Sequence, residues 1–328
     1  MAETETGPPA PEAAAPVPEP PVVAATWQEH EPAEPWCPAA LAAAVPWAAS
    51  LDTAHHRAWR DEADAHWHCL AGTRRGRAHA HQAQWREDAA RVARLATPHG
   101  PATLLVAADG AGSARWSRVG AEAACHAVED HLADALTAGA APGPALVAAV
   151  QHAVRTLREL AIAGAGAPRD LRTTLLAALL VGDTLSTTQV GDGAILVQEA
   201  GGAVRQVGAG DSGEFSGEVT CFVPDEEAET RAAAALVEQD ARGLTRVVLA
   251  TDGIEDPFYP LARKGALLLA QLEGGVEAPA EHFQRQAAHG PVLGHPEATA
   301  RLAQWLAFER RGENDDRTIV VAHRPRGA

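Results

Sequence analysis

The chain has a single lysine, Lys264, so its positive charge is almost entirely arginine. Acid outweighs base, with 27 Lys and Arg against 43 Asp and Glu and a formal net charge of −16. That balance argues against nucleic-acid binding through phosphates and against docking on an anionic membrane. The four cysteines, Cys37, Cys69, Cys125 and Cys221, contain no Cys-x-x-Cys pair, so neither a zinc knuckle nor a disulfide framework is signalled. A cysteine nucleophile is not expected, and the compartment is read as a reducing cytoplasm. No basic stretch leads into an apolar one at the N-terminus, and apolar runs such as Leu175–Val181 are far shorter than a membrane span. Secretion and membrane insertion are therefore not expected.

Residues 1–57 are rich in Ala, Pro and Glu, a composition that buries too little apolar surface to offset its ordering entropy. They are expected to form a disordered tail, with residues 58–328 as one folded domain. Trp27, Trp36 and Trp47 stand out in that tail as docking anchors, for the chain's own domain or for a partner, or as sparse aromatics in an inert segment. Strands are expected near 67–71, 104–108, 219–223, 246–250 and 318–322, with a basic loop over 73–88. Helices are expected over about 120–137 and 145–163, broken by GAAPGP, and again in pieces between 260 and 311. The stretch 173–207, cut by Gly-Asp, Gly-Asp-Gly and Gly-Gly, reads as a hairpin meander. Strands in meanders and helices in separate pairs indicate an α+β fold.

Four acids carry the chemistry. Asp109, Asp192 and Asp252 each sit in an Asp-Gly step closing an apolar run (TLLVAADG, STTQVGDG, RVVLATDG), and Asp315 opens the run NDDRTIVV. Any one Asp-Gly is more commonly a hairpin turn. As a set, they deliver hard carboxylates to strand ends, and a cluster of such groups is tolerable only around cations. Oxygen donors, with no cysteine and no histidine at these turns, suit octahedral cations that keep several waters. ADGAGSARWS lacks the Gly-Lys-Ser/Thr ending of a nucleotide loop, so Ser113, Ser117 and Thr173 are assigned to loop and cap roles. Trp116 either lines a cleft or covers the core.

In order along the chain, RED at 86–88, ADGAGSA at 108–114, the pair Thr173 and Thr174, VGDG at 190–193, ATDGIED at 250–256 and NDDRT at 314–318 resemble the metal-dependent serine/threonine protein phosphatases of type 2C, in their compact bacterial branch. The resemblance covers about residues 67–323. It implies a central sandwich of two antiparallel β-sheets flanked by helices on both outer faces. It also implies two Mn²⁺ or Mg²⁺ ions, with Asp109 bridging them and the Gly110 carbonyl on one. Asp252 and Asp315 would hold the second ion, Asp88 would join the metal set, and Glu87 would act through a metal-bound water. Asp192 and Asp256 match positions for a third ion, and Asp316 reads as structural.

The implied reaction is hydrolysis of phosphoserine or phosphothreonine by direct attack of a metal-bound hydroxide, with Asp109, Asp252 and Asp315 catalytic through the water they help hold. The implied partner is a phosphorylated protein, a Ser/Thr kinase or one of its targets. Two family positions depart from the pattern: Ala111 stands where many relatives have histidine, and Ala83 where the phosphate-binding arginine falls. Candidates for that phosphate role are His79, Arg75, Arg77 and Arg86, weighed against simple surface charges. His55, His56, His66 and His68 read as surface or sheet residues. Two other functions stay open: a catalytically weak module that binds a phosphorylated partner, and a two-metal hydrolase of small phosphate esters.

Overall fold

The computed structural model describes residues 27–61, 66–98, 100–208, 221–274 and 291–325. From the N-terminus the elements run β1 (His56–Asp61), β2 (His68–Arg74), α1 (Arg77–His81), β3 (Ala89–Thr97), β4 (Gly100–Ala108), α2 (Ser117–Thr137) and α3 (Pro142–Ala163). Next come β5 (Leu175–Val181), β6 (Thr184–Val190), β7 (Ala194–Glu199), β8 (Val204–Gln206), α4 (Ala228–Ala234), β9 (Val237–Asp240) and β10 (Leu244–Ala250). The last described elements are α5 (Asp252–Glu255), α6 (Leu261–Glu273), α7 (Ala298–Trp305) and β11 (Arg317–His323).

The strands form two antiparallel sheets, ordered β1-β2-β11-β10-β7-β8 and β3-β4-β5-β6-β9. Their central strands are continuous apolar runs because both faces are buried. Leu105, Ala107, Leu176 and Ala178 of one sheet share a core with Ile195, Val247, Leu249 and Val320 of the other. The alternate residues Leu104, Val106, Leu175 and Leu179 turn outward into a second core beneath α2 and α3. On the opposite outer face, Leu196, Val248, Ile319 and Val321 are covered by apolar residues of α6 and α7. Each fully buried leucine in these layers contributes about 1.5–3 kcal/mol relative to exposure. The α+β sandwich with helices on both outer faces is thus the observed architecture. Among the described residues, no helix is long and apolar enough to cross a membrane.

Residues 27–57, expected in a disordered tail, are packed against the domain instead. Trp36, Leu41 and Val45 are buried in the core with α2 and α3. Trp47 stacks on His126 with ring centroids 4.4 Å apart, and Trp27 meets His81 edge-on at 5.6 Å. The tryptophans are therefore anchors onto the chain's own domain, which the Pro-rich composition conceals. Residues 1–26 of the expected tail lie outside the described residues. β3 and β9 were not anticipated, and the loop expected over 73–88 contains α1. Of the strand expected over 219–223, residues 219 and 220 lie outside the described residues, and Val223 forms an isolated bridge with Thr173.

Candidate metal centre and substrate cleft

Strand register brings the acids to one end of the sandwich. Ala89 pairs with Ala108, so Asp88, just before β3, and Asp109, just after β4, emerge side by side. In the other sheet Ala250 pairs with Ile319 on one side and Ala194 on the other, which places Asp252, Asp315 and Asp192 around the same edge. Two glycines with positive φ, Gly191 (87°) and Gly193 (85°), make the turn that carries Asp192. Gly253 is required for a different reason: a Cβ there would lie 1.8 Å from the Asp316 carbonyl oxygen. The Asp109 backbone is clamped by its neighbours, its N–H donating to Thr174 Oγ1 at 3.0 Å and its carbonyl accepting from Thr173 Oγ1 at 2.8 Å.

Convergence shows in the electrostatics. Burial, and then the charges of Asp252, Asp88 and Asp315, raise the Asp109 carboxyl well above the usual range. Asp252 is raised by burial and by Asp315 and Asp192, and its side chain is within hydrogen-bonding reach of Asp109. Two ionised carboxylates cannot hold that arrangement without a shared proton or a cation. Burial and the Asp316 carboxylate push Asp88 up to about 7, while Thr251 Oγ1 donates to Asp88 Oδ2 at 3.0 Å. Burial pushes Glu87 up to about 7 despite His79 Nε2 at 3.9 Å. Asp88 Oδ1, Asp252 Oδ1 and Glu87 Oε2 are buried with no hydrogen-bond partner among the described residues. Unsatisfied carboxylate oxygens on Asp88 and Asp252, beside the charges of Asp109 and Asp315, fit the oxygen-only donor set that divalent Mg²⁺ or Mn²⁺ requires.

Asp316 differs from its neighbours. Its Oδ1 accepts the Gly76 N–H at 2.6 Å and lies 2.9 Å from His79 Nδ1, and its Oδ2 accepts the Glu87 N–H at 2.6 Å. His79, Asp315 and Asp316 offer ligand atoms within 4.8 Å of one another. Because the Asp316 oxygens are already engaged, this group reads as an anchor holding the loop after β2 to the start of β11. The bonds lower the Asp316 carboxyl against its burial. Burial alone would lower His79, but the hydrogen bond and charge of Asp316, with Glu87 and Asp315, raise it to about 10.

Beside the carboxylates opens a cleft of about 410 Å³, lined by His79, Gln82, Asp252, Asp256, Asn314 and Asp315 among others. Of the four candidates for a phosphate contact, only His79 lines it. Arg86 turns inward, donating to Thr73 Oγ1 at 3.3 Å and to the Asp88 carbonyl. Arg77 pairs with Glu309 at 3.3 Å, and Arg75 donates to the Gln84 carbonyl at 3.2 Å. None of those three lines the cleft, because Glu309, Gln84, Thr73 and the Asp88 carbonyl hold their side chains elsewhere. Trp116 is buried in the helix-side core. Cys69 and Arg75 have the Cys-x5-Arg spacing of a thiolate phosphate loop, yet they lie along and just beyond the extended β2, with Cys69 buried in the sandwich.

Asp192 and Asp256 are joined by a residue that the sequence reading omitted. Burial, then the charges of Asp192 and Asp256, push Glu255 up to about 7. The ATDGIED wording contained the signal, since Glu255 adjoins Asp256 at the end of the short helix α5 that follows β10.

The family model described as Protein phosphatase 2C matches residues 75–307, more than half of the chain. The chain belongs to this family. The catalytic domain of the serine threonine protein phosphatase PstP, solved in complex with two manganese ions, is similar with a TM-score of 0.51 and 22% identity, over 79% of this chain and 99% of that one. The serine/threonine phosphatase PstP/Ppp of Mycobacterium tuberculosis gives 0.50 and 21% over the same shares, 79% and 99%. A bacterial serine phosphatase gives 0.50 and 17% over 78% of this chain and 96% of that one. At these identities the likeness establishes the protein phosphatase 2C fold. No curated protein matches the chain by sequence at significant similarity.

Proposed function

We propose that this protein phosphatase 2C family member is a metal-dependent phosphoprotein phosphatase acting on phosphoserine and phosphothreonine in the cytoplasm. The observation that supports the reading is the mutual charge effect of Asp88, Asp109, Asp252 and Asp315, with Asp88 and Asp252 oxygens left unsatisfied and with Asp252 and Asp315 lining the cleft. Asp88, Asp109, Asp252, Asp315 and the Gly110 carbonyl are the groups that would hold two Mn²⁺ or Mg²⁺ ions. Glu87 would act through water, and Asp192, Asp256 and Glu255 would serve a third ion. Bound there, such cations supply neutralisation of the phosphoryl oxygens and acidify water for attack on phosphorus.

The chain's own residues set the geometry. Thr173 and Thr174 fix the Asp109 backbone, Thr251 fixes Asp88, and Asp316 fixes His79 at the cleft. His79 thereby brings a positive, proton-bearing group to a cleft where Ala111 and Ala83 replace the family's histidine and arginine. The substrate class is a phosphorylated protein, such as a Ser/Thr kinase or one of its targets.

One observation favours a second reading, a weak catalyst that binds a phosphorylated partner: no arginine lines the cleft among the described residues. Mn²⁺-dependent hydrolysis of a phosphothreonine peptide and of an aryl phosphate, measured with Asp109→Asn and Asp252→Asn as controls, separates the possibilities. Turnover of the peptide that both variants abolish supports the phosphatase, and metal binding without turnover supports the binding module. Efficient turnover of the aryl ester alone supports a small-ester hydrolase. Activity retained in both variants overturns the assignment of the metal site.

A further inference from the structure

On the other side of α1 from the cleft lies a second pocket, of about 290 Å³, lined by Arg74, Arg75, Arg77 and Arg317. The N-terminal segment closes it with Trp27 and Glu29, and Glu309 completes the charged lining. Four arginines lining one pocket are unexpected in a chain with a net charge of −16, although the Arg75 guanidinium is engaged by the Gln84 carbonyl. The pocket lining itself holds two carboxylates among the described residues, Glu29 and Glu309, while Glu31 lies within charge range of Arg75 and Glu313 and Asp316 within that of Arg317. Glu309 is paired with Arg77 at 3.3 Å, while the Arg77 guanidinium lies 5.4 Å from the Trp27 ring centroid. Glu29 is near enough to favour the charge of Arg74, yet no hydrogen bond or ion pair engages the Arg74 guanidinium among the described residues.

Arg317 is 3% exposed. Its guanidinium sits 4.1 Å from the Phe308 ring centroid and donates to the carbonyls of Leu306 at 3.1 Å and Glu313 at 3.3 Å, leaving Nε buried and unpartnered. Arg74 and Arg77 bring like charge towards it, answered in part by Glu313 and Asp316. Buried like charges that repel one another cost stability unless an anion answers them. The planar guanidinium fork matches the oxygens of a phosphoryl group, and several forks around one space select a multiply charged oxyanion.

We propose that this pocket binds a phosphoryl-type oxyanion at a site separate from the carboxylate centre. Its position gives the binding a consequence. Arg77 and Ala80 of α1 line the pocket, whereas Ala78 and His79 of the same short helix line the cleft. An occupied pocket therefore steadies the helix that presents His79. The phosphoryl group comes either from a second phosphorylated residue of a bound substrate or from free inorganic phosphate.

The test has two arms, and the first is independent of the phosphatase reading. Full-length protein in EDTA is titrated calorimetrically with inorganic phosphate, beside Arg74→Gln, Arg74→Lys and Asp109→Asn. Expected are saturable binding that persists in Asp109→Asn, a loss of about tenfold or more in Arg74→Gln, and an intermediate value in Arg74→Lys. In the second arm, KM of the Mn²⁺-loaded protein is compared for singly and doubly phosphorylated peptides. A lower KM for the doubly phosphorylated peptide that Arg74→Gln removes assigns the group to the substrate. Phosphate binding without that preference assigns it to the free anion. Should Arg74→Gln fail to fold by circular dichroism, Arg77→Gln takes its place in both arms. The absence of any arginine-dependent effect in both arms overturns the proposal.

Discussion

His79 Nδ1 lies 2.9 Å from Asp316 Oδ1, and the same buried carboxylate accepts the backbone N–H groups of Gly76 and Glu87, each at 2.6 Å. One side chain thus ties the loop after β2, the residue before Asp88 and the cleft histidine to the start of β11. Asp316→Ala strands the Gly76 and Glu87 N–H groups, removes the ion-pair partner of His79, and is expected to cost about 3–5 kcal/mol. Asp316→Asn keeps one acceptor oxygen and is expected to cost less. Urea denaturation measures both, and an alanine variant as stable as the parent contradicts the anchoring role.

The metal-free protein is expected to lose stability as pH rises. Asp88 and Glu87 are pushed up to about 7 from ordinary values of 3.8 and 4.5, and Asp109 and Asp252 are raised as well. Between those ordinary values and about 7 the native state binds more protons than the unfolded chain, so the slope of unfolding free energy with pH is negative. His79 acts in the same direction at higher pH: its stabilisation is complete below 6.5 and is lost as pH rises through about 10. The depressed Asp316 works oppositely but only in acid, its contribution fading as pH falls below its ordinary 3.8. In EDTA, Tm at pH 8 should therefore lie below Tm at pH 5.5, and Mn²⁺ should raise Tm more at pH 8. Scanning calorimetry across that range decides it, a flat metal-free profile being the adverse result.

How much of this was legible in the sequence depended on whether the signal was local. The Asp-Gly steps were local signals because each follows a strand whose register is fixed by its buried faces, so the arrival of Asp109, Asp192 and Asp252 at one end of the sandwich could be anticipated. β3 was hidden because AARVARLAT mixes small residues with arginine, and the ion-pair partners of Arg91 and Arg94, Glu129 and Asp61, are distant in the sequence. The destination of Arg77, paired with Glu309, was hidden for the same reason, whereas Arg75 and Arg86 bond to Gln84, Thr73 and the Asp88 carbonyl, contacts that no sequence pattern announces. In the N-terminal segment, proline and alanine masked a few large apolar anchors.

Leu41 is one of those anchors, fully buried against the α2 and α3 layer. Leu41→Ala is expected to destabilise the whole domain by about 2–5 kcal/mol. If residues 27–57 were only an appendage, the midpoint of chemical denaturation would not move.

Thr251 Oγ1 donates to Asp88 Oδ2 and accepts the Thr318 N–H, both at 3.0 Å. Thr251→Val keeps the shape and removes both bonds, freeing the Asp88 carboxylate to rotate. A Mn²⁺ affinity about 10–100-fold weaker, with the fold retained by circular dichroism, is the expected outcome. Unaltered affinity in a calorimetric titration would remove Thr251 from the support of the centre.

The most direct measurement is anomalous diffraction at the manganese edge from crystals grown with Mn²⁺. Peaks within coordination distance of Asp109, Asp252 and Asp315, and lost from Asp109→Asn crystals, are the predicted result. Folded protein with no anomalous peak among these carboxylates, or with manganese bound only elsewhere, would contradict the proposed metal centre.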